Sequence, residues 1–271
     1  YGGSVGRDAD DIRVIDAYHS PAVPTSSSRI YFYCYLDGVK GTPSGKMYYK
    51  IGSYGSWQQA GLTYNSGSKR MYATLTGFSD NDQVFFYYEI TNDSKTIYFP
   101  SWGASRPCAL EIDDITDYEI PVYRILMTSE NYNKLSSKRL WNNDNTDCTL
   151  IIGTNIFYNA GIHYKGNYSR QYRVAHNIRL NYGKRYHGHN KVSNTYNWED
   201  GSPFLAVAYA QRIYRLSNTP IYDSEPHLAR RMGSLQGLMH SVEGYDDVHL
   251  TKLGYNGNCY KATAASAQQA I

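Results

Sequence analysis

The chain has 271 residues, 41% of them hydrophobic, enough for two domains or one large one with real cores. No run approaches the ~18–20 consecutive apolar residues of a membrane-spanning helix. The net charge of +3 divides into −4 over residues 1–120 and +7 over residues 121–271, a basic excess that favours anionic ligands but falls short of the dense basic face of a nucleic-acid binder.

Residues 1–27 read as a lead-in segment with one short strand at Ile12–Ile15. Its acidic run, Asp8 to Asp11, lacks the spaced ligands of a calcium loop and reads as a solvated turn. From Arg29 the hydrophobic period becomes two. Ile30, Phe32, Cys34 and Leu36 alternate with Tyr31, Tyr33 and Tyr35, and Asp37-Gly38 closes the run as a turn. The four apolar residues are expected to point inward together. Further strands are predicted at 46–51, 70–76, 83–91 and 95–99, with Gly, Asn, Asp and Ser between them. Short strands at this spacing predict an antiparallel, immunoglobulin-like sandwich over residues 28–110. Trp57, Trp102 and the tyrosines of this stretch are either core packing or a sugar-binding platform.

Pro100, Gly103, Pro107 and the acidic 111–117 stretch form a joint, and residues 111–271 read as a second, α+β part. A strand is expected at 120–127, then a short helix from Ser129 to Leu135 with Ser129 as its N-cap. Strands at 149–152 and 156–165 lead into Lys165-Gly166-Asn167-Tyr168-Ser169, a turn-prone loop followed by a strand through Ile178 and Leu180. Lys165, Arg170, Arg173 and Arg179 surround that loop, which reads either as a basic surface hairpin or as a phosphate site. His187 and His189 are spaced for metal ligation from a strand, but no third ligand is evident. Residues 203–217 carry helical spacing, residues 227–242 are short and apolar around Gly233 and Gly237, Tyr260 closes a last strand, and 262–271 is rich in small residues.

Tyrosine is abundant, 29 residues against 7 Phe, which suits half-wet sheet faces and binding surfaces. The four cysteines, Cys34, Cys108, Cys148 and Cys259, have no zinc-finger spacing and allow three disulfide pairings. Asn92 and Asn167 stand in glycosylation sequons. With the low Lys content, these features point to an extracellular or cell-surface glycoprotein. The chain starts at Tyr1 without a hydrophobic leader, as expected either of a mature or trimmed product or of a sequence whose start was not captured.

Residues 119–261 resemble the CotH family of spore-coat and surface proteins, whose members studied as enzymes are atypical protein kinases. The resemblance rests on Ile120-Pro121-Val122-Tyr123-Arg124-Ile125-Leu126 and on the loop from Lys165 to Arg170. It rests most on Gln236-Gly237-Leu238-Met239-His240-Ser241-Val242-Glu243, followed by Tyr260-Lys261-Ala262. It implies a kinase-like lobe preceded by an all-β domain, with Lys165, Arg170, Arg173 and Glu243 as the nucleotide or phosphate-binding residues. Two departures stand out. Arg173 replaces the family's Lys, and the family's metal and catalytic Asp segments lie beyond the Tyr-Lys strand, near where this chain ends at Ile271. The expectation is therefore a partial lobe with no catalytic residue, metal site or cofactor and no kinase activity in the chain as given.

Three functions are compatible with these features. The first is a secreted coat, surface or filament subunit that assembles with itself or with surface proteins. The second is the amino-terminal part of an active CotH-type kinase using ATP and Mg. The third is a carbohydrate-binding module on the sandwich.

Overall fold

The computed structural model describes residues 11–139, 141–165, 175–195, 213, 216–217 and 224–242. The protein is mainly β. It divides into two compact units, residues 1–163 with 228–237, and residues 164–227 with 238–271.

The first unit opens with nine strands: β1 (Arg13–Ser20), β2 (Ile30–Asp37), β3 (Ser44–Ile51), β4 (Gln58–Gly61), β5 (Thr63–Asn65), β6 (Arg70–Leu75), β7 (Gln83–Asn92), β8 (Lys95–Phe99) and β9 (Cys108–Glu111). They form one sheet in the order β1-β2-β6-β5 and another in the order β4-β3-β7-β8, with β9 also paired to β7. The alternation in β2 works as expected. Ile30, Phe32, Cys34 and Leu36 are each no more than 1% exposed. They share one core with Met71 of β6 and with Met47, Val84, Phe86, Tyr88 and Ile90 of the other sheet. Phe32 meets Phe86 edge to face, with centroids 4.9 Å apart. Each fully buried side chain of this size contributes about 1.5–3 kcal/mol. The lead-in segment differs from expectation, because Arg13–Ser20 pairs with Tyr31–Asp37 of β2 and buries Ala17 and His19.

Next come β10 (Val122–Leu126), helix α1 (Ser129–Ser137), β11 (Thr146–Ile152) and β12 (Asn155–Tyr164). β10 pairs with β11, and β11 with β12, all antiparallel. Leu126 and Ile151 pack against Phe85 and Ala109. The first compact unit runs on to His163 and takes in residues 228–237. The helix cap also differs. Thr128, not Ser129, is the N-cap, and its hydroxyl accepts from the Asn131 N–H at 3.2 Å. The Ser129 N–H instead donates to the Ser53 hydroxyl at 2.8 Å.

Four further strands follow: β13 (His176–Arg179), β14 (Lys191–Thr195), β15 (Ser224–Arg231) and β16 (Ser234–Val242). In the second unit β13 pairs antiparallel with β14, and β14 with the end of β16. The Lys165 N–H donates to the Ala175 carbonyl at 2.9 Å. Residues 227–242, read from sequence only as short and apolar, lie in β15 and β16. These strands are joined at Met232 and Gly233, both with positive φ (51° and 79°), as a two-residue hairpin turn requires. Leu228–Arg231 belongs to the first unit and pairs parallel with β10. The expected helix at 203–217 falls almost wholly outside the described residues, and the expected strand at Tyr260 and the small-residue tail wholly so.

Candidate functional site

Two clusters in the first unit stand out, one buried and ionic, the other exposed and aromatic. In the first, Glu111 ends β9 and Asp113 follows it, while Arg124 and Arg230 sit on β10 and β15, and all four side chains are 7% exposed or less. Arg124 Nε lies 3.2 Å from Glu111 Oε2, and Arg124 Nη2 donates to Asp113 Oδ2 at 2.5 Å. Arg230 Nη2 donates to Glu111 Oε1 at 3.2 Å, to Asn81 Oδ1 at 3.1 Å and to the Gly233 carbonyl at 3.0 Å. Tyr118 links the set, donating to Asp113 at 3.2 Å and accepting from Arg230 at 3.0 Å. Gly233 is needed there. A Cβ on it would stand 3.1 Å from Gln83 Nε2 and 3.6 Å from Glu111 Oε1, in a backbone conformation that already disfavours side chains.

Burial raises the Glu111 carboxyl, and the two guanidiniums only partly offset it. Burial pushes Asp113 up too, but the Arg124 hydrogen bond, the Ile115 N–H and the two arginine charges outweigh it and hold the carboxyl low. For Arg230 the charges of Glu111 and Asp113 outweigh burial and raise it. Two positive and two negative groups balance, and none faces solvent. Catalytic carboxylates must reach a substrate, so this cluster reads as a lock holding β15 on β10.

The aromatic cluster covers the outer face of the β4-β3-β7-β8 sheet. Register puts Tyr48 opposite Tyr87, and Lys46, Glu89 and Tyr98 in the next row. The Tyr48 and Tyr87 rings stack at 4.8 Å with planes 7° apart. Trp57 meets Tyr87 edge-on at 5.0 Å and carries Lys50 Nζ 4.9 Å from its ring. Tyr98 lies 6.4 Å from Tyr87 and is 44% exposed. The turn at Gly103–Ser105 approaches closely, with the Gly103 Cβ position 3.7 Å from both the Tyr87 and Tyr98 rings. Beside it Trp102 is 62% exposed, with the Arg106 guanidinium 4.6 Å from its ring. Arg106 is itself held by Asp147 at 3.1 Å. Burial, then Tyr48 and Glu89, push the Tyr87 phenol up, and a hydrogen bond to Glu89 does the same for Tyr98. Both phenols are therefore neutral hydroxyls at neutral pH. The face offers aromatic surface, neutral hydroxyls and the Glu89 carboxylate side by side, a combination suited to a ligand that is itself part apolar and rich in hydroxyls.

Of the residues predicted from sequence to bind phosphate, Lys165 is half-buried at the end of β12, and Arg170, Arg173 and Glu243 lie outside the described residues, as does the sequon at Asn167. Asn92 is 5% exposed. Its amide nitrogen, the atom a glycan would occupy, donates to the Lys40 carbonyl, and its oxygen accepts from the Lys40 N–H at 2.8 Å. His187 is exposed and stacks on Tyr186 at 4.1 Å, and His189 is buried. Among the described residues, no group of three or more His, Cys, Asp or Glu is placed to hold a metal ion. The same residues include no helix long and apolar enough to cross a membrane. The sequence offered Trp57, Trp102 and the tyrosines as a sugar platform or as core packing without showing which tyrosines meet, and it gave no sign of the ionic cluster. Tyr48, Tyr87, Glu89 and Tyr98 carry a signal only as outward positions of alternating strands, and Arg124 and Arg230 carry none that links them.

No protein-family model matches the sequence, and no curated protein matches it. Among solved structures, a cycloalternan-forming enzyme from Listeria monocytogenes in complex with a pentasaccharide substrate is 11% identical, with a TM-score of 0.29 over 68% of this chain. An uncharacterized protein of Listeria monocytogenes EGD-e is 12% identical, with a TM-score of 0.28 over 67% of this chain. This chain spans about 15% of the length of either protein. Likeness at this level carries no argument about fold or function.

Proposed function

We propose that the chain is a surface-acting binding protein whose two-sheet part, an immunoglobulin-like sandwich, holds neutral carbohydrate on the outer face of the β4-β3-β7-β8 sheet. The observation that carries this reading is the row of Tyr48, Tyr87 and Trp57, flanked by the exposed rings of Tyr98 and Trp102. Pyranose rings pair an apolar C–H face with a rim of hydroxyls. Aromatic rings take the first, and Glu89 with the neutral phenols takes the second. The CotH-like character of residues 119–261 belongs to the same proposal, as part of a secreted coat or surface protein rather than a phosphoryl-transfer enzyme.

Affinity electrophoresis through gels containing neutral glucans tests this. Wild type should be retarded by at least one of them. Trp102→Ala and Tyr98→Ala, both at exposed positions, should lose about tenfold or more in affinity. Ile15→Ala, at a residue 60% exposed on β1 of the other sheet, should not. Equal retardation of all four proteins would remove the site from this face.

A further inference from the structure

The other sheet carries a second aromatic face with different chemistry. On the outside of β1-β2-β6-β5, register aligns Tyr18, Tyr33, Tyr72 and Thr63 in one row and Asp16, Tyr35, Arg70 and Asn65 in the next. Tyr31 and Tyr33 stack with planes 5° apart and centroids 6.2 Å apart, and Tyr18 leans on Tyr33 at 4.9 Å. Arg70 stands among these rings, its guanidinium carbon 4.5 Å from the Tyr33 centroid and 6.0 Å from that of Tyr35.

Arg70 differs from four other arginines of this unit. Arg13 pairs with Asp37, Arg106 with Asp147, and Arg124 and Arg230 with Glu111 and Asp113. No carboxylate among the described residues lies within ion-pair distance of Arg70, and its Nε is buried without a hydrogen-bond partner. Asp16 lies across Tyr35 in the same row, and its Oδ1 accepts from the Ala17 N–H at 2.9 Å. A half-buried guanidinium held on tyrosine faces without a counter-ion is set up for an external carboxylate, which the planar fork can grip through two parallel hydrogen bonds.

We infer that the outer face of the β1-β2-β6-β5 sheet is a binding site for acidic polysaccharide, with Arg70 receiving a uronate carboxylate and Tyr31, Tyr33 and Tyr18 packing the sugar rings. Charge complementarity selects the acid, and the tyrosine rings and hydroxyls select a polyhydroxylated carrier. An acidic peptide fits less well. Peptides commonly add a strand to a sheet edge, whereas this is a sheet face whose backbone groups are already paired within the ladder. The inference stands apart from the neutral-glucan site, on different residues of a different sheet.

The test uses the full chain and polygalacturonate as the probe. Wild type should bind, and carboxyl-reduced polymer should bind about tenfold or more weakly, as should polygalacturonate in high salt. Arg70→Gln should lose a similar factor and Arg70→Lys a smaller one, with thermal unfolding checking that each variant is folded. Trp102→Ala should leave polygalacturonate binding unchanged, which separates this site from the neutral one. The inference is overturned if wild type fails to bind polygalacturonate, if the carboxyl-reduced polymer binds equally, or if poly-glutamate binds as tightly. The reduced-polymer comparison needs no variant and decides the matter even if the Arg70 substitutions fail to fold.

Discussion

Arg124 and Arg230 are direct partners across the parallel β10–β15 pair, two like charges side by side in the protein interior. Glu111 and Asp113 make that arrangement tenable. Glu111 presents one oxygen to each guanidinium, and Asp113 turns a single oxygen towards both. Removing any one member strands an uncompensated buried charge. Arg230→Met should therefore destabilise the first unit by about 3–5 kcal/mol in denaturant unfolding. A loss below about 1 kcal/mol would show that the cluster relaxes into solvent and is no lock.

His19 should make stability depend on pH. It is 2% exposed, and burial lowers its pKa from 6.5 to about 4, with the Ala22 carbonyl offsetting only part. Nε2 lies 2.9 Å from that carbonyl and so carries the proton, which leaves Nδ1 to accept from the Tyr158 hydroxyl at 2.5 Å. The unfolded chain therefore binds the proton more readily than the folded one between pH 6.5 and 4. The contribution is complete above pH 6.5 and is lost as pH falls towards 4, by about 3 kcal/mol for a shift of this size. Unfolding free energies of wild type and His19→Gln, compared between pH 7 and pH 4, should differ in slope over that window. Parallel curves would contradict the assignment.

Cys34, Cys108 and Cys148 are buried free thiols, and burial pushes all three well above the usual thiol range. Thiolate is the reactive form. In the native protein these three should resist a thiol reagent at neutral pH and react together only on unfolding. Peptide mapping after timed labelling reads this directly, and rapid labelling of any of them under native conditions would contradict it.

The helix cap separates two neighbouring hydroxyls. Thr128→Ala should cost about 1 kcal/mol, because its hydroxyl satisfies the Asn131 N–H at the start of α1. Ser129→Ala should be nearly neutral, because the interaction at that position uses the backbone N–H, which donates to Ser53. Equal losses in thermal unfolding would return the cap to Ser129.

Local pattern accounts for much of the first unit. The alternation of Ile30, Phe32, Cys34 and Leu36 with tyrosines determined both a strand and its buried face, because successive side chains of a strand point to opposite sides. The turn residues between runs marked off β3, β6, β7 and β8 to within two residues at each end. The cap of α1 was legible only to one position, since Thr128 and Ser129 both carry the required hydroxyl and the contact with Ser53 is long-range. Tertiary structure alone decided the rest. Which strands are neighbours, and in what register, depends on long-range closure of the chain, and no local period encodes it. That closure set Tyr48 against Tyr87, placed Arg70 between tyrosines without a carboxylate, and brought Arg230 back to Arg124.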